Sequence, residues 1–266
     1  MGPRIRQEMN PNTKPTSKIL RSTTSNRKIS MHDNPALLVS ARRARLKQLA
    51  TLGMLGPASA IGLIREALAK GDVPIVNGVN SLTGSATVNG NPAKNGTPVK
   101  AGDKVSTAMD GTVVLVVGKD GFLLRGGTTV TFQEGKTKRG VVENVLVTTG
   151  KVLAVFSKRT EGSLVIEVPH ATVGIRGTGC YLEVHEGRSY FCLCYGEAAI
   201  TGVGMPQPTV IKTTHHESPV WLDDRGGIMK VEKAGFVNHN DGELIMLEKL
   251  NGREPPFVAM GLTGRY

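Results

Sequence analysis

Two thiols stand two residues apart in RSYFCLCYGEAAI (188–200), at Cys192 and Cys194. Further on, TTHHESP carries His215 and His216, and VNHNDGELIMLE carries His239 at the entrance to a helical pattern. Side chains alternate along an extended strand, so Tyr190, Cys192 and Cys194 share one face and Phe191, Leu193 and Tyr195 the other. Thiolates and imidazoles together suit a soft or borderline cation, zinc or copper. A C-x-C pair alone is a weak signal. Joined to a His-His pair and a third histidine, it defines a candidate metal set of Cys192, Cys194, His215, His216 and His239. The same thiols carry two other readings. In an oxidising compartment two of the three cysteines could pair. A Cys192–Cys194 ring would be strained, so Cys180 would reach one of them from a neighbouring strand. The plainest reading is buried thiols acting as small hydrophobes, against which an odd cysteine count in an exported chain weighs.

The other candidates are plainer. His170 follows Pro169 at a strand start and reads as a local hydrogen-bonding residue. His185 lies beside a Glu-Gly turn and reads as solvated. Trp221 reads as core or rim packing, and Asp223-Asp224 as turn chemistry in DDRGG. No nucleophile elbow and no nucleophile–base–acid grouping stands out, so the chain reads as non-enzymatic.

The elements that must position the thiols and imidazoles are short strands. Glycine is abundant, with 33 residues, and Val and Thr recur between turn signals. Lys104–Thr107, Thr112–Val117, Phe122–Arg125, Thr128–Phe132, Val141–Val147 and Val152–Phe156 read as strands, joined by Gly-containing turns such as Gly118-Lys119-Asp120-Gly121. The connections are too short for parallel crossovers. The fold class is therefore all-β: a mainly antiparallel sandwich or roll, or a solenoid-like module. One helix is expected at about 240–250, with Asn240 as N-cap and Glu243 closing a capping box. Leu244, Ile245 and Leu247 should pack on the sheet, and Pro255-Pro256 prevents a restart.

The net charge of +11 invites a nucleic-acid partner until it is located. Residues 1–69 hold 12 Lys/Arg against 3 Asp/Glu, a net of +9, and residues 70–266 hold 21 against 19, a net of +2. A basic footprint on the folded part is missing, so no nucleic acid is expected. Residues 1–41 read as a disordered basic segment. Residues 42–69 read as an export signal: the pair Arg42 and Arg43, an apolar run from Leu49 to Ile64, and a small-x-small site at Ala67 and Ala69. The twin arginines fit a Tat-like signal, from which Arg45 departs by standing where an aromatic or apolar residue is usual. The run falls short of the roughly 20 apolar residues of a span. The expectation is cleavage after Ala69 and a periplasmic chain, with a membrane contact only through an uncleaved leader.

From about Thr83 to about Gly202 the chain resembles the FecR domain. The resemblance runs through VNGNPAKNGTPVKAGDKVSTAMDGTVVLVV, GTTVTF and GKVLAVFSKR, and is most specific in VPHATVGIRGTGCYLEV. Its signature positions here are Pro169, Ala171, Val173, Gly174, Arg176, Gly177 and Thr178. The resemblance implies a periplasmic β-module, of a family best known from regulators of iron–siderophore signalling, with a protein partner in the periplasm or outer membrane. Members of that kind also carry a cytoplasmic helical domain that grips a sigma factor. Residues 1–41 are too short and too polar for it, so the resemblance carries over the module and not the sigma-factor activity. It makes the Arg-Gly-Thr a corner of the fold, with Arg176 aiming its guanidinium at carbonyls or a carboxylate of a neighbouring turn; an anion site at Arg176 is the functional alternative. Residues 203–266 would be a C-terminal extension. An exported binding or regulatory module is the leading expectation; a metal-binding or redox protein and a structural envelope protein are the alternatives.

Overall fold

The computed structural model describes residues 77–136, 140–159 and 164–264. The basic segment 1–41 and the signal 42–69, with Arg42, Arg43, Ala67 and Ala69, lie outside the described residues.

The chain builds one 14-stranded sheet that folds over itself. The first half holds β1 (Gly78–Thr83), β2 (Ala86–Val88), β3 (Asn91–Pro92), β4 (Lys104–Thr107), β5 (Thr112–Val117), β6 (Asp120–Leu124) and β7 (Thr129–Glu134). The second half holds β8 (Val142–Val155), β9 (Leu164–Val168), β10 (Ala171–His185), β11 (Arg188–Thr201), β12 (Thr209–Thr213), β13 (Val220–Asp223) and β14 (Lys230–Lys233). Helices α1 (Asp241–Leu250) and α2 (Pro256–Ala259) follow. Every pairing among the described residues is antiparallel except β8 with β9, where two strands joined by a short connection run parallel. The all-β reading with one C-terminal helix holds.

Strands β5, β6, β8, β10 and β11 are apolar on both faces. Val113, Leu115, Phe122, Leu124, Val152, Ala154, Leu182, Phe191 and Leu193 face the main core. Val114, Leu123, Leu153, Val155, Tyr181, Tyr190, Cys192 and Cys194 face the other way, into a second core closed by Leu244, Ile245, Met246, Leu247 and Phe257. A strand covered on both sides reads as a continuous apolar run, which is why TVVLVV lacks alternation. Each large apolar side chain that α1 buries contributes about 1.5–3 kcal/mol, so the C-terminal segment is a required cover for the sheet.

Two expectations are corrected. Val141–Val147 and Val152–Phe156 are parts of one strand, β8, without a turn between them. Gly150 bends it at φ +89°. The Thr128 hydroxyl holds Lys151 just after the bend, donating to Lys151 O at 3.1 Å and accepting from Lys151 N at 2.9 Å. The Arg-Gly-Thr corner lies inside a strand too. Residues 171–175 of β10 pair with β9, and residues 179–184 pair with β8. The change of neighbour falls at Gly177, with φ +60°, and the register to β11 slips between Arg176 and Gly179. Arg176 itself is exposed opposite Glu197, and its guanidinium has no hydrogen bond or ion pair among the described residues. The corner is made by backbone and glycine, and Arg176 does not brace it.

Gly179 has the closest constraint in this region. A Cβ there would lie 2.4 Å from the Tyr195 ring. At Gly174 a Cβ would meet Ala199 O at 3.6 Å, an ordinary contact. Gly179→Ala should therefore destabilise the chain by about 1–3 kcal/mol, and Gly174→Ala should change it by no more than about 0.5 kcal/mol. Urea unfolding of the two variants side by side checks the contrast.

Candidate functional site

The second core is where the reactive side chains meet. Alternation along β11 turns Cys192 and Cys194 to the same face, as expected, with Phe191 and Leu193 opposite. Tyr195 departs from the pattern. The register slip at Gly179 brings its ring to the thiol face, over the space that Gly179 leaves. Cys180 registers opposite Leu193 and packs in the main core, so it faces away from the other two thiols. All three cysteines are free and buried.

The two neighbouring histidines are brought in after β12. Thr213 Oγ1 donates to Leu193 O at 2.8 Å, and His216 N donates to Cys194 O at 3.0 Å, which holds the turn against the edge of β11. The Glu217 carboxylate accepts from Thr214 N at 2.7 Å and His215 N at 3.1 Å. His216 sits in the left-handed region at φ +58°, an uncommon state for a residue with a Cβ. His239 is brought in by the entrance to α1. Asn240 Oδ1 accepts from Glu243 N at 3.1 Å, and the Glu243 carboxylate accepts from Asn240 N at 3.2 Å. That carboxylate also takes Arg125 Nη2 at 3.0 Å, and Arg125 donates to Asn238 O at 2.6 Å. The capping box thus fixes the backbone on both sides of His239.

One nitrogen, oxygen or sulfur from each of Cys192, Cys194, His216 and His239 lies within 4.8 Å of the others, and all four residues are buried. His239 Nε2 is 3.1 Å from His216 Nδ1, and Cys192 Sγ is 3.7 Å from His216 Nδ1. Cys194 Sγ donates to Cys192 O at 3.8 Å. His215 is drawn elsewhere: its Nε2 is 2.8 Å from Asp241 Oδ1, with His216 Nε2 3.3 Å from the same oxygen. Of the five expected ligands, four converge on one point, and His215 joins Asp241 beside them. Asp241 was not among the sequence candidates. Its other oxygen accepts from Gly264 N at 2.8 Å.

Aromatic rings close the pocket. Tyr181 stacks on His239 with centroids 4.5 Å apart, Phe236 lies 4.4 Å from His239, and Phe257 lies 4.6 Å from His215. The Cys192 thiol is held well below the ordinary thiol range. The hydrogen bond from Cys194 does most of this, and His216 and His239 add to it against the cost of burial. Burial, with the Cys192 charge beside it, pushes Cys194 well up. His216 is raised: burial opposes its charge, and the hydrogen bond to Asp241 with the neighbouring Cys192 outweighs that. The arrangement offers a soft cation two sulfurs and two imidazole nitrogens in a closed space.

The signature positions lie apart from this cluster. Pro169 is in the turn between β9 and β10, and Ala171 and Val173 pack in the main core. His170 Nδ1 is 2.8 Å from Ser189 Oγ, as a local hydrogen-bonding residue should be. His185 is exposed, as expected, with Nε2 3.0 Å from the Glu183 carboxylate and its ring edge-on to Trp221. Trp221 lies at the rim under the Arg188 guanidinium, 3.9 Å away. Asp223 pairs with Arg225 in its turn. Among the described residues, no helix is long and apolar enough to cross a membrane.

No family model and no curated protein matches the sequence. Two crystal structures of a protein assigned as an anti-sigma factor from Parabacteroides distasonis, at 2.50 and 1.65 Å resolution, are similar in fold, each at 12% identity and a TM-score of 0.39. The match covers 49% of this chain and 59% of that one in the first, and 56% and 74% in the second.

Asn240 holds the helix entrance between His239 and Asp241. Asn240→Ala should cost about 1 kcal/mol in urea unfolding, and Asn240→Asp, which keeps an accepting oxygen, should retain most of that.

Proposed function

We propose that this chain is an exported, non-enzymatic module of the cell envelope that works by binding a protein partner. In this reading it is a FecR-type domain, and its 234–264 segment is a permanent cover on one face of the sheet. The observation that carries the reading is the burial of its reactive groups. Cys192, Cys194, His215, His216, His239 and Asp241 are all buried beneath α1, α2 and aromatic rings. A substrate would need an opening to groups of that kind, and sealed polar groups serve architecture better than turnover. The FecR resemblance of residues 83–202 supports the envelope location, and the order of basic, apolar and small-x-small stretches in 42–69 supports export. Recognition would then fall to the exposed surface of the module, with the partner in the periplasm or outer membrane.

Export is checked by fractionating cells that make the full chain and weighing the product. The expected result is a periplasmic chain beginning at Lys70. Replacing both Arg42 and Arg43 by Lys should leave it uncleaved in the cytoplasm if the twin arginines are read. An uncleaved chain in the membrane fraction would contradict the reading and make the leader an anchor.

A further inference from the structure

We propose that Cys192, Cys194, His216 and His239 bind one zinc(II) ion as a closed, four-coordinate structural centre. The strongest ground is how the two imidazoles face each other. His239 Nδ1 lies 2.7 Å from Val237 O, an acceptor only, so this nitrogen carries the proton. That leaves a lone pair on His239 Nε2. His216 Nε2 lies 3.3 Å from the Asp241 carboxylate, also an acceptor only, so this nitrogen carries the other proton. That leaves a lone pair on His216 Nδ1. The two lone pairs then point at one another across 3.1 Å inside a buried pocket. Two acceptors at that distance repel unless a cation lies between them. A proton could fill the gap only by making one of the two rings a buried imidazolium beside the Cys192 sulfur. A metal fills it while also satisfying the two sulfurs.

The dimensions fit a tetrahedral ion. With zinc–nitrogen bonds of about 2.0 Å and zinc–sulfur bonds of about 2.3 Å, the tetrahedral edges are about 3.3 Å between nitrogens and about 3.5 Å from nitrogen to sulfur. The corresponding separations here are 3.1 Å and 3.7 Å. Charge fits as well. Two thiolates cancel the charge of a divalent ion, so a neutral centre is buried. On binding, the cluster gives two protons to solvent, which leaves two thiolates and two neutral imidazoles, and the ion sheds its water; no electron is transferred. Asp241 and Val237 O would hold the imidazoles in the tautomers that ligation needs, as carboxylates and carbonyls behind zinc histidines do. With four protein ligands and aromatic walls, no position is left for a substrate, which marks a structural site. The ligands come from β11, from the turn after β12 and from the entrance to α1. The ion would therefore fasten the C-terminal cover to the sheet. The assignment stands on this geometry alone and does not depend on export or on a partner.

The test uses the full chain, reduced, stripped with a chelator and titrated with cobalt(II), then zinc(II). We expect one cobalt per chain, with thiolate-to-cobalt charge-transfer and tetrahedral d–d absorption that one equivalent of zinc bleaches. Cys192→Ser should abolish the charge-transfer pattern of two thiolates, and His215→Asn should keep it, because His215 faces Asp241. Asp241→Asn should keep the spectrum while weakening zinc binding about 10–100-fold. If Cys192→Ser does not fold, native mass spectrometry of the unaltered chain decides: one added zinc with the loss of two protons supports the site. The proposal is overturned if the reduced chain gives no thiolate–cobalt absorption. Cation binding that survives Cys192→Ser unchanged, or binding of copper(I) without cobalt or zinc, would also overturn it.

Discussion

A sheet that is apolar on both faces has to be covered on both faces, and most of this molecule follows from that requirement. Strands β5, β6, β8, β10 and β11 turn one set of side chains into the main core and a second set, including Tyr181, Cys192 and Cys194, into the space beneath α1. The segment after β14, residues 234–264, supplies the missing wall. Leu244 and Leu247 are wholly buried against it, and Phe257 caps its far end.

A cover built from a single turn-rich segment has few apolar residues, so polar groups finish the seal. Arg125 reaches from the end of β6 to the capping box of α1 and ties Glu243 and Asn238 together. Tyr195 donates to Glu248 at 2.5 Å, and Arg253 closes on the same carboxylate. Asn238 Nδ2 donates to Glu183, which also accepts from Tyr181. Carboxylates such as Glu243, 1% exposed, are tolerable in this setting only while their partners remain, because leaving one unpaired costs several kcal/mol. The Cys/His cluster lies at the centre of this polar layer. The proposed neutral metal centre would turn these opposed polar groups into bonds between sheet and cover.

The sequence was most informative where chemistry is local. The bounds of β4 and β5, the Asn240–Glu243 capping box and the shared face of Cys192 and Cys194 could all be read from spacing and turn residues. What escaped was long-range. TTGK looks like a hairpin turn, but Gly150 only bends β8, and the Thr128 hydroxyl holds the backbone of Lys151 just beyond the bend. Tyr195 broke the alternation because the slip that lets it do so involves Gly179, sixteen residues earlier. Arg176 looked like a brace in apolar company, yet strand alternation, with Val173 and Ile175 inward, leaves it exposed. Asp241 went unnoticed because an acidic residue in the first turn of a helix already has a reason to be there, the helix dipole. Only the fold shows the same carboxylate facing two histidines. For His215 and His216, adjacency in sequence suggested one shared role; both rings reach the Asp241 carboxylate, and of the two His216 also turns its other nitrogen to Cys192 and His239.

The fastening of sheet to cover by Cys192, Cys194, His216 and His239 is the claim on which this account turns. X-ray absorption at the zinc edge of the chain, isolated from cells without added metal, addresses it most directly. The account predicts stoichiometric zinc with two sulfur neighbours at about 2.3 Å and two imidazole nitrogens at about 2.0 Å. A zinc-free chain, or zinc surrounded by oxygen and nitrogen with no sulfur, would contradict it.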